Sequence, residues 1–232
     1  MIERRPYSKL GGDDLDWLKT RHHFSFADYY DEERMGWGAL RVWNDDEIKP
    51  RTGFPLHAHA NMEIITYVRE GAITHKDSLG NEGRTEAGDV QVMSAGTGLR
   101  HSEYNLESVT TKIFQIWIIP TQSGGRPAWG AKPFPKTERA GQLVTLAGGE
   151  PSAGGLPIRA DARVLGATLK SRQSIQHVLE PGKLAYLVSA AGIVEVNGIR
   201  IEARDGAAIS GVSRLEIAAA EDSEVVLVEA AG

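Results

Sequence analysis

The sequence of 232 residues contains no cysteine. This absence excludes disulfide bonds, thiolate metal sites, iron–sulfur clusters and cysteine nucleophiles. Any metal ion bound by this chain must therefore be held by nitrogen and oxygen ligands.

Long apolar runs and clusters of basic residues are also absent. No stretch approaches the roughly 18 apolar residues of a membrane span, and the first residues lack the apolar core of a signal peptide. The net charge of -5 argues against a nucleic-acid partner, because such a surface needs a basic stripe. We therefore expect a soluble, cytoplasmic protein without direct nucleic-acid or membrane contacts.

The sequence does contain many short runs with strand character. Residues 38–43, 63–69, 89–93 and 112–119 are rich in β-branched and aromatic side chains, and turn-forming residues bound each run. This spacing is typical of antiparallel strands in a sandwich or barrel. Only residues 13–20 and a few shorter pieces predict helix.

Glycine and proline concentrate between residues 120 and 160, which predicts an irregular connection between two domains. We place the domains at residues 1–125 and 161–232, with residues 126–160 as the connection. A weak repeat relates the two halves, and a duplicated β-barrel explains it economically. The repeated residues are Gly71 and Gly88-Asp89 in the first half, and Gly192 and Asp205-Gly206 in the second.

Two short motifs, His57-Ala58-His59 and His101-Ser102-Glu103, carry the candidate chemistry. Side chains at i and i+2 of a strand point to the same face, so each motif presents two ligand groups on one side of a sheet. If the two strands are neighbours, three imidazoles and one carboxylate converge. Such a set suits one divalent transition metal (Fe, Mn, Co, Ni, Cu or Zn) and leaves positions open for water, substrate or dioxygen.

The surroundings of these motifs resemble the two cupin motifs. The first spans residues 53–71, and the second spans residues 88–105 but is two residues longer before His101 and has Ser94 where proline is usual. Both departures are found in pirins. The segment 93–103 closely resembles pirins and bacterial pirin-like quercetinases, as do the segments 21–26 and 38–42.

The resemblance implies an all-β bicupin with two tandem antiparallel β-barrel (jelly-roll-like) domains, of which the first binds the metal. Strand parity allows either Glu63 or Glu103 as the fourth ligand beside the three histidines. The pirin pattern favours Glu103, and Glu63 then becomes a residue that orients a ligand histidine. The second domain contains a single histidine, His177, and we expect that domain to be metal-free.

The resemblance also implies a function. It indicates an enzyme similar to quercetin 2,3-dioxygenase, which uses one divalent metal, iron first among those named, to cleave a small planar aromatic flavonol with release of carbon monoxide. Glu103 would be the catalytic base that accepts the proton of the substrate 3-hydroxyl. The alternative is a metal-binding regulatory or redox-sensing pirin that acts through protein partners.

Three further histidines are predicted to have ordinary structural positions rather than to bind the metal. His22 and His23 either close over the metal pocket or, as we favour, belong to a loop or edge strand that packs Phe24 and Phe26 into a core. His75 lies at a predicted strand end, and we expect its side chain to be solvated.

Overall fold

The computed structural model describes residues 1–149 and 154–232. Residues 150–153 of the predicted connection lie outside the described residues. Strands make up 57% of the chain and helices 3%, which confirms the all-β class. Within the described ranges, no helix is both long enough and apolar enough to traverse a membrane.

The first half of the chain contains twelve strands and two short 3-10 turns, Tyr7–Lys9 and Glu32–Arg34. The strands are β1 (Ile2–Arg5), β2 (Gly11–Asp14), β3 (Leu18–His22), β4 (Leu40–Ile48), β5 (Gly53–His59), β6 (Glu63–Glu70), β7 (Ala72–Asp77), β8 (Glu82–Glu86), β9 (Val90–Ser94), β10 (Leu99–Tyr104), β11 (Thr111–Ile118) and β12 (Ala128–Lys132).

The second half contains the remaining strands of the described chain. They are β13 (Val144–Gly148), β14 (Leu156–Pro157), β15 (Ala162–Leu169), β16 (Ser174–Val178), β17 (Lys183–Ala191), β18 (Val194–Val196), β19 (Ile199–Ile201), β20 (Gly206–Ile209), β21 (Arg214–Ala219) and β22 (Ser223–Ala231).

Each half builds one seven-stranded and one four-stranded sheet. In the first half the orders are β12-β9-β6-β11-β4-β3-β2 and β5-β10-β7-β8; in the second they are β1-β20-β17-β22-β15-β13-β14 and β16-β21-β18-β19. The expectation of closed barrels is therefore wrong in detail, because each half consists of separate sheets rather than one continuous ladder.

Four strands of the described chain do not follow the predicted domain limits. Two of them, β13 and β14, lie within the predicted connection and join the seven-stranded sheet of the second half. β1 pairs with β20, so the N-terminal strand completes the sheet of the second half. β12 lies within the predicted connection and pairs with β9 of the first half. The domain limits themselves remain a prediction.

Apolar side chains form separate clusters inside and between the halves. The two seven-stranded sheets share one cluster, in which Trp43 and Phe114 meet Tyr186 and Val226. The interior of the second half is one apolar cluster. The interior of the first half is divided into two smaller clusters, one around Ile48, Val68 and Ile113 and one around Ile64, Met93 and Leu99.

The helix predicted over residues 13–20 is wrong. The segment forms the end of β2, a turn and the start of β3. Burial alternates along β3, where Leu18, Thr20 and His22 are buried while Lys19 is exposed, which is the period of a half-buried strand. Pairing with β4 outweighs the weak helical pattern, because a helix as short as residues 13–20 is unstable in isolation.

Candidate metal centre and ligand cavity

A belt of polar side chains crosses the inner face of the first seven-stranded sheet, between its two apolar clusters. The polar belt consists of His22, Asn44, Gln115, Thr66 and Gln91, and each residue is the register partner of the next. All five are at least nine-tenths buried. Buried polar groups are costly without partners, so the belt requires hydrogen bonds inside the domain.

Glu103 on β10 is the hydrogen-bond partner of three belt residues, Thr66, Gln91 and Gln115. Its Oε1 accepts hydrogen bonds from Thr66 Oγ1 at 3.1 Å and Gln91 Nε2 at 2.5 Å, and its Oε2 accepts one from Gln115 Nε2 at 2.8 Å. Burial raises the pKa of Glu103 to about 7, although the three hydrogen bonds act in the opposite direction. The carboxyl group is thus fixed in position and able to exchange a proton near neutral pH.

The three predicted histidines converge at the neighbouring strands β5 and β10. His101 is the register partner of His57, and the pairing shifts before Glu103, which lies opposite Phe54. This β-bulge adds one residue to β5 and redirects its side chains, as bulges near functional sites do. One potential ligand atom from each of His57, His59 and His101 lies within 4.8 Å of the others.

His75 belongs to the same site, so the expectation that it is solvated is wrong. Its side chain is fully buried and stacks on Trp129, with ring centroids 4.9 Å apart. Trp129 lies on β12, inside the predicted connection. The residues next to His75 in sequence do not predict this contact. The signal that could have identified His75 is its i, i+2 spacing to Asp77.

His75 connects a buried carboxylate to a predicted metal ligand. Its Nε2 lies 3.1 Å from Asp77 Oδ2, and its Nδ1 lies 3.4 Å from His101 Nδ1. If His75 donates Nε2–H to Asp77, its Nδ1 accepts a hydrogen from His101 Nδ1. That tautomer leaves the lone pair of His101 Nε2 available for a cation.

The lowered pKa values of His59 and His101 fit metal binding. Burial lowers the pKa of His101 to about 2 and that of His59 to about 4, with neighbouring histidines adding to both effects. His57 Nδ1 lies 2.7 Å from the carbonyl oxygen of Pro55, which it reaches as a donor. His101 Nε2 is buried without a hydrogen-bond partner in the described chain. Neutral rings with free lone pairs are what a divalent cation requires.

The candidate ligands fall into two groups that share one residue. His57, His59 and His101 form the first; His75, His101 and Glu103, all buried, form the second. Glu63 is in neither group, and its carboxylate accepts a hydrogen bond from Ser94 Oγ at 2.5 Å. The assignment of His57, His59, His101 and Glu103 as one ligand set remains a proposal.

A cavity of about 340 Å³ adjoins the first group. Its lining combines His57 and His59 with apolar side chains such as Phe26, Phe54 and Trp117. His22 also lines the cavity, whereas His23 faces the core between the two halves and hydrogen-bonds Tyr186 at 2.9 Å. The side chains of these adjacent histidines therefore lie on opposite sides of the sheet.

The sequence matches two family models. The model described as Pirin covers residues 3–118, and the model described as Quercetinase C-terminal cupin domain covers residues 145–230. A pirin-like protein of Caulobacter vibrioides is 64% identical over 232 residues, 100% of both chains. The chain belongs to the pirin family. The expectation of two cupin-type domains is thereby confirmed.

One relative of this pirin carries the name of an enzyme, and the crystal structure of another contains a metal ion. Quercetin 2,3-dioxygenase of Escherichia coli K12 is 40% identical over 231 residues, 98% of this chain and 97% of its own. The crystal structure of the bacterial pirin YhhW of Escherichia coli with nickel(II) has a TM-score of 0.94 at 37% identity and covers 100% of this chain and 99% of its own. Both matches include the two domains.

The second domain of this pirin uses its interior differently. Leu187 and Ile217 lie in the apolar cluster between its sheets, where the first domain has its polar belt. His177 is hydrogen-bonded to the buried carboxylate of Glu229. The interior of the first domain thus contains a polar belt between two apolar clusters, whereas that of the second is one apolar cluster.

Proposed function

We propose that this pirin is a metal-dependent dioxygenase that cleaves flavonols such as quercetin. The observation that carries the proposal is the convergence of His57, His59 and His101. Two of these histidines line a largely apolar cavity, and the buried carboxyl group of Glu103 lies on the same strand as His101. Protein pockets for small aromatic molecules combine apolar walls with a few polar groups in this way. The relatives named quercetin 2,3-dioxygenase support the same reaction.

The proposed ligands are His57, His59, His101 and Glu103, with iron first and Mn, Co, Ni, Cu or Zn as other candidates. Glu103 is connected to this set through His101, because one ligand atom from each of Glu103, His101 and His75 lies within 4.8 Å of the others. The bound metal would supply Lewis acidity and orientation for substrate and dioxygen.

Glu103 is proposed as the base that accepts the proton of the substrate 3-hydroxyl. Burial raises the pKa of Glu103, and a cation held beside it would favour the ionised carboxylate, which is the form that accepts a proton. Thr66, Gln91 and Gln115 hold its carboxylate in place, so little reorganisation accompanies the transfer. Dioxygen then adds across the heterocyclic ring of the flavonol, which opens and releases carbon monoxide.

The test is carbon monoxide release from quercetin under oxygen. Metal-stripped protein is reloaded separately with Fe, Mn, Co, Ni or Cu, and His101→Ala and Glu103→Gln are assayed beside it. We expect metal-dependent release that disappears in His101→Ala and falls by at least about 100-fold in Glu103→Gln. His177→Ala, in the second domain, is the matched control and should retain turnover.

Stoichiometric metal binding without carbon monoxide release for any metal would contradict the proposal. The alternative of a regulator acting through protein partners would then be favoured. Unchanged turnover in Glu103→Gln would remove Glu103 from the mechanism while leaving the reaction in place.

A further inference from the structure

Two residues of the polar belt, His22 and Asn44, form no hydrogen bond with Glu103. They line the cavity, and each has a side-chain atom without a hydrogen-bond partner in the described chain. His22 Nδ1 and Asn44 Oδ1 are both buried and have no hydrogen-bond partner within residues 1–149 and 154–232. His22 is 2% exposed and Asn44 is 5% exposed, and both line the cavity. A buried polar atom without a partner is costly, so these two positions indicate partners that a ligand supplies.

A second pair of polar residues extends this region by one step of the β3–β4 ladder. Thr20 and Asp46 are register partners and both line the cavity. Thr20 Oγ1 donates a hydrogen bond to Asp46 Oδ1 at 2.5 Å. No hydrogen bond to Asp46 Oδ2 occurs within the described ranges, so this oxygen is available as an acceptor. The inner face of β3 and β4 therefore carries four adjacent polar residues where strands of this type usually bury apolar ones.

Aromatic rings connect these polar residues to the metal ligands. The ring of His59 meets Trp117 at 4.9 Å, Trp117 meets Phe26 at 5.4 Å, and Phe26 meets His22 at 5.2 Å, all edge to face. A ligand that reaches from the histidine group to the polar row must pass along these rings. A flat, aromatic molecule matches this surface best, because it gains apolar and aromatic contacts along its length.

We infer that His22, Asn44, Thr20 and Asp46 form a hydroxyl-binding subsite for the edge of a planar polyphenol that lies away from the metal. This inference rests on the proposed function and names the part of the substrate that the subsite reads. The row offers both donors and acceptors, which phenolic hydroxyls match because each is donor and acceptor at once. Sites that hydrogen-bond a substrate hydroxyl discriminate strongly against analogues that lack it.

The experiment compares two flavonols that share the 3-hydroxyl and the neighbouring carbonyl group. Quercetin carries further hydroxyls on both ring systems, and 3-hydroxyflavone carries none. Dissociation constants are measured by calorimetry on the full chain loaded with Zn²⁺, which is redox-inert, in the absence of oxygen. Binding is thus measured without turnover.

We expect wild-type protein to bind quercetin at least about tenfold more tightly than 3-hydroxyflavone, the effect of one or two hydrogen bonds. Asn44→Leu should raise the dissociation constant for quercetin about tenfold and leave that for 3-hydroxyflavone unchanged. Thr20→Val, a smaller change beside it, should act in the same direction. Leu15→Ala, at an exposed apolar position of the cavity wall, is the matched control and should affect both ligands equally.

Equal changes for both flavonols in Asn44→Leu and Thr20→Val, with Zn²⁺ stoichiometry retained, would overturn the subsite. Water alone would then satisfy the polar row. Discrimination that depends on Asn44 without carbon monoxide release in oxygen would leave the subsite standing and contradict only the proposed reaction. Carbon monoxide release together with unaltered discrimination in both variants would contradict the subsite and leave the proposed reaction standing.

Discussion

Asp46 and Glu103 are two buried carboxyl groups with different surroundings. Burial raises the pKa of each to about 7. Glu103 accepts three hydrogen bonds from side chains that hold it, whereas Asp46 accepts one from Thr20 and lies beside Asp45. Ionising Asp46 therefore costs folding free energy with little compensation.

Asp46→Asn should change how stability depends on pH. The pKa of Asp46 rises from 3.8 to about 7 on folding, so the native state binds a proton more tightly than the unfolded state. The contribution of Asp46 to stability is present below pH 3.8 and is lost as pH rises towards 7. We expect the wild type to lose about 2 kcal/mol, relative to Asp46→Asn, between pH 5 and pH 8. Urea unfolding at both pH values measures this difference.

Asp16→Asn, an exposed change in the adjoining turn, is the matched control for Asp46→Asn. A constant difference between wild type and Asp46→Asn across the pH range would contradict the raised pKa.

His75→Ala should weaken metal binding although His75 is outside the proposed ligand set. The side chain connects Asp77 to His101, and loss of such outer hydrogen bonds typically lowers metal affinity 10- to 100-fold. Competition with a chelator measures the affinity, and Asp77→Asn should give a smaller loss in the same direction.

The same measurement distinguishes the two groups of candidate ligands. If the ion is held by His57, His59 and His101, the loss in His57→Ala should exceed the loss in His75→Ala. The opposite order would place the ion at the buried group of His75, His101 and Glu103.

At the scale of elements, the site depends on the close pairing of β5 with β10. A Cβ atom added to Gly53 would lie 2.2 Å from the carbonyl oxygen of Glu103 and 2.5 Å from Tyr104 Cα. Both contacts are with backbone, which cannot move aside without separating the strands. The absence of a side chain at Gly53 therefore brings the strand of His57 and His59 against the strand of His101.

Gly53→Ala should reduce metal affinity without changing any ligand side chain. Displacement of β5 by even a fraction of an ångström alters the distances among the three histidines, so we expect at least about a tenfold loss, within the range seen for perturbed metal surroundings. Gly130→Ala is the matched control, because a Cβ atom there meets only Leu156 Cδ2 at 3.7 Å. Equal affinity in the two variants would show that the pairing tolerates a wider spacing.

At the scale of the whole molecule, buried charges join the two domains across their shared apolar core. Arg139 is 1% exposed and donates hydrogen bonds to Tyr67 OH of the first domain at 2.7 Å and to Glu224 of the second at 3.0 Å. Asp45 accepts similarly from Arg69 and from Arg204. These pairs couple the domains, so we expect them to unfold together.

Arg139→Met should destabilise the whole protein by about 3 kcal/mol, because it leaves a buried carboxylate with less compensation. The measurement is urea unfolding followed by tryptophan fluorescence and by far-ultraviolet circular dichroism, with coincident transitions expected. Arg200→Met, which breaks an exposed pair with Glu202, is the matched control and should cost less than about 1 kcal/mol. Two separate transitions in the wild type would contradict the coupling.

The chemistry available to this pirin is already limited by its amino-acid sequence. The absence of cysteine limits metal ligands to nitrogen and oxygen, and strand parity puts His57 with His59 and His101 with Glu103 on common faces. These are local properties, since the alternation of side chains depends only on neighbours along one strand. The all-β class and the repeated architecture follow from equally local patterns.

Which residues complete the site depends on long-range packing and strand pairing. The polar belt depends on the register of five strands, and a shift by one residue would turn each of its side chains to the other face. The burial of His75 depends on Trp129, 54 positions further along the chain, and the convergence of His57 and His59 with His101 depends on the pairing of β5 with β10. Contacts between segments distant in sequence are set by packing and pairing, which the pattern within any single strand does not encode.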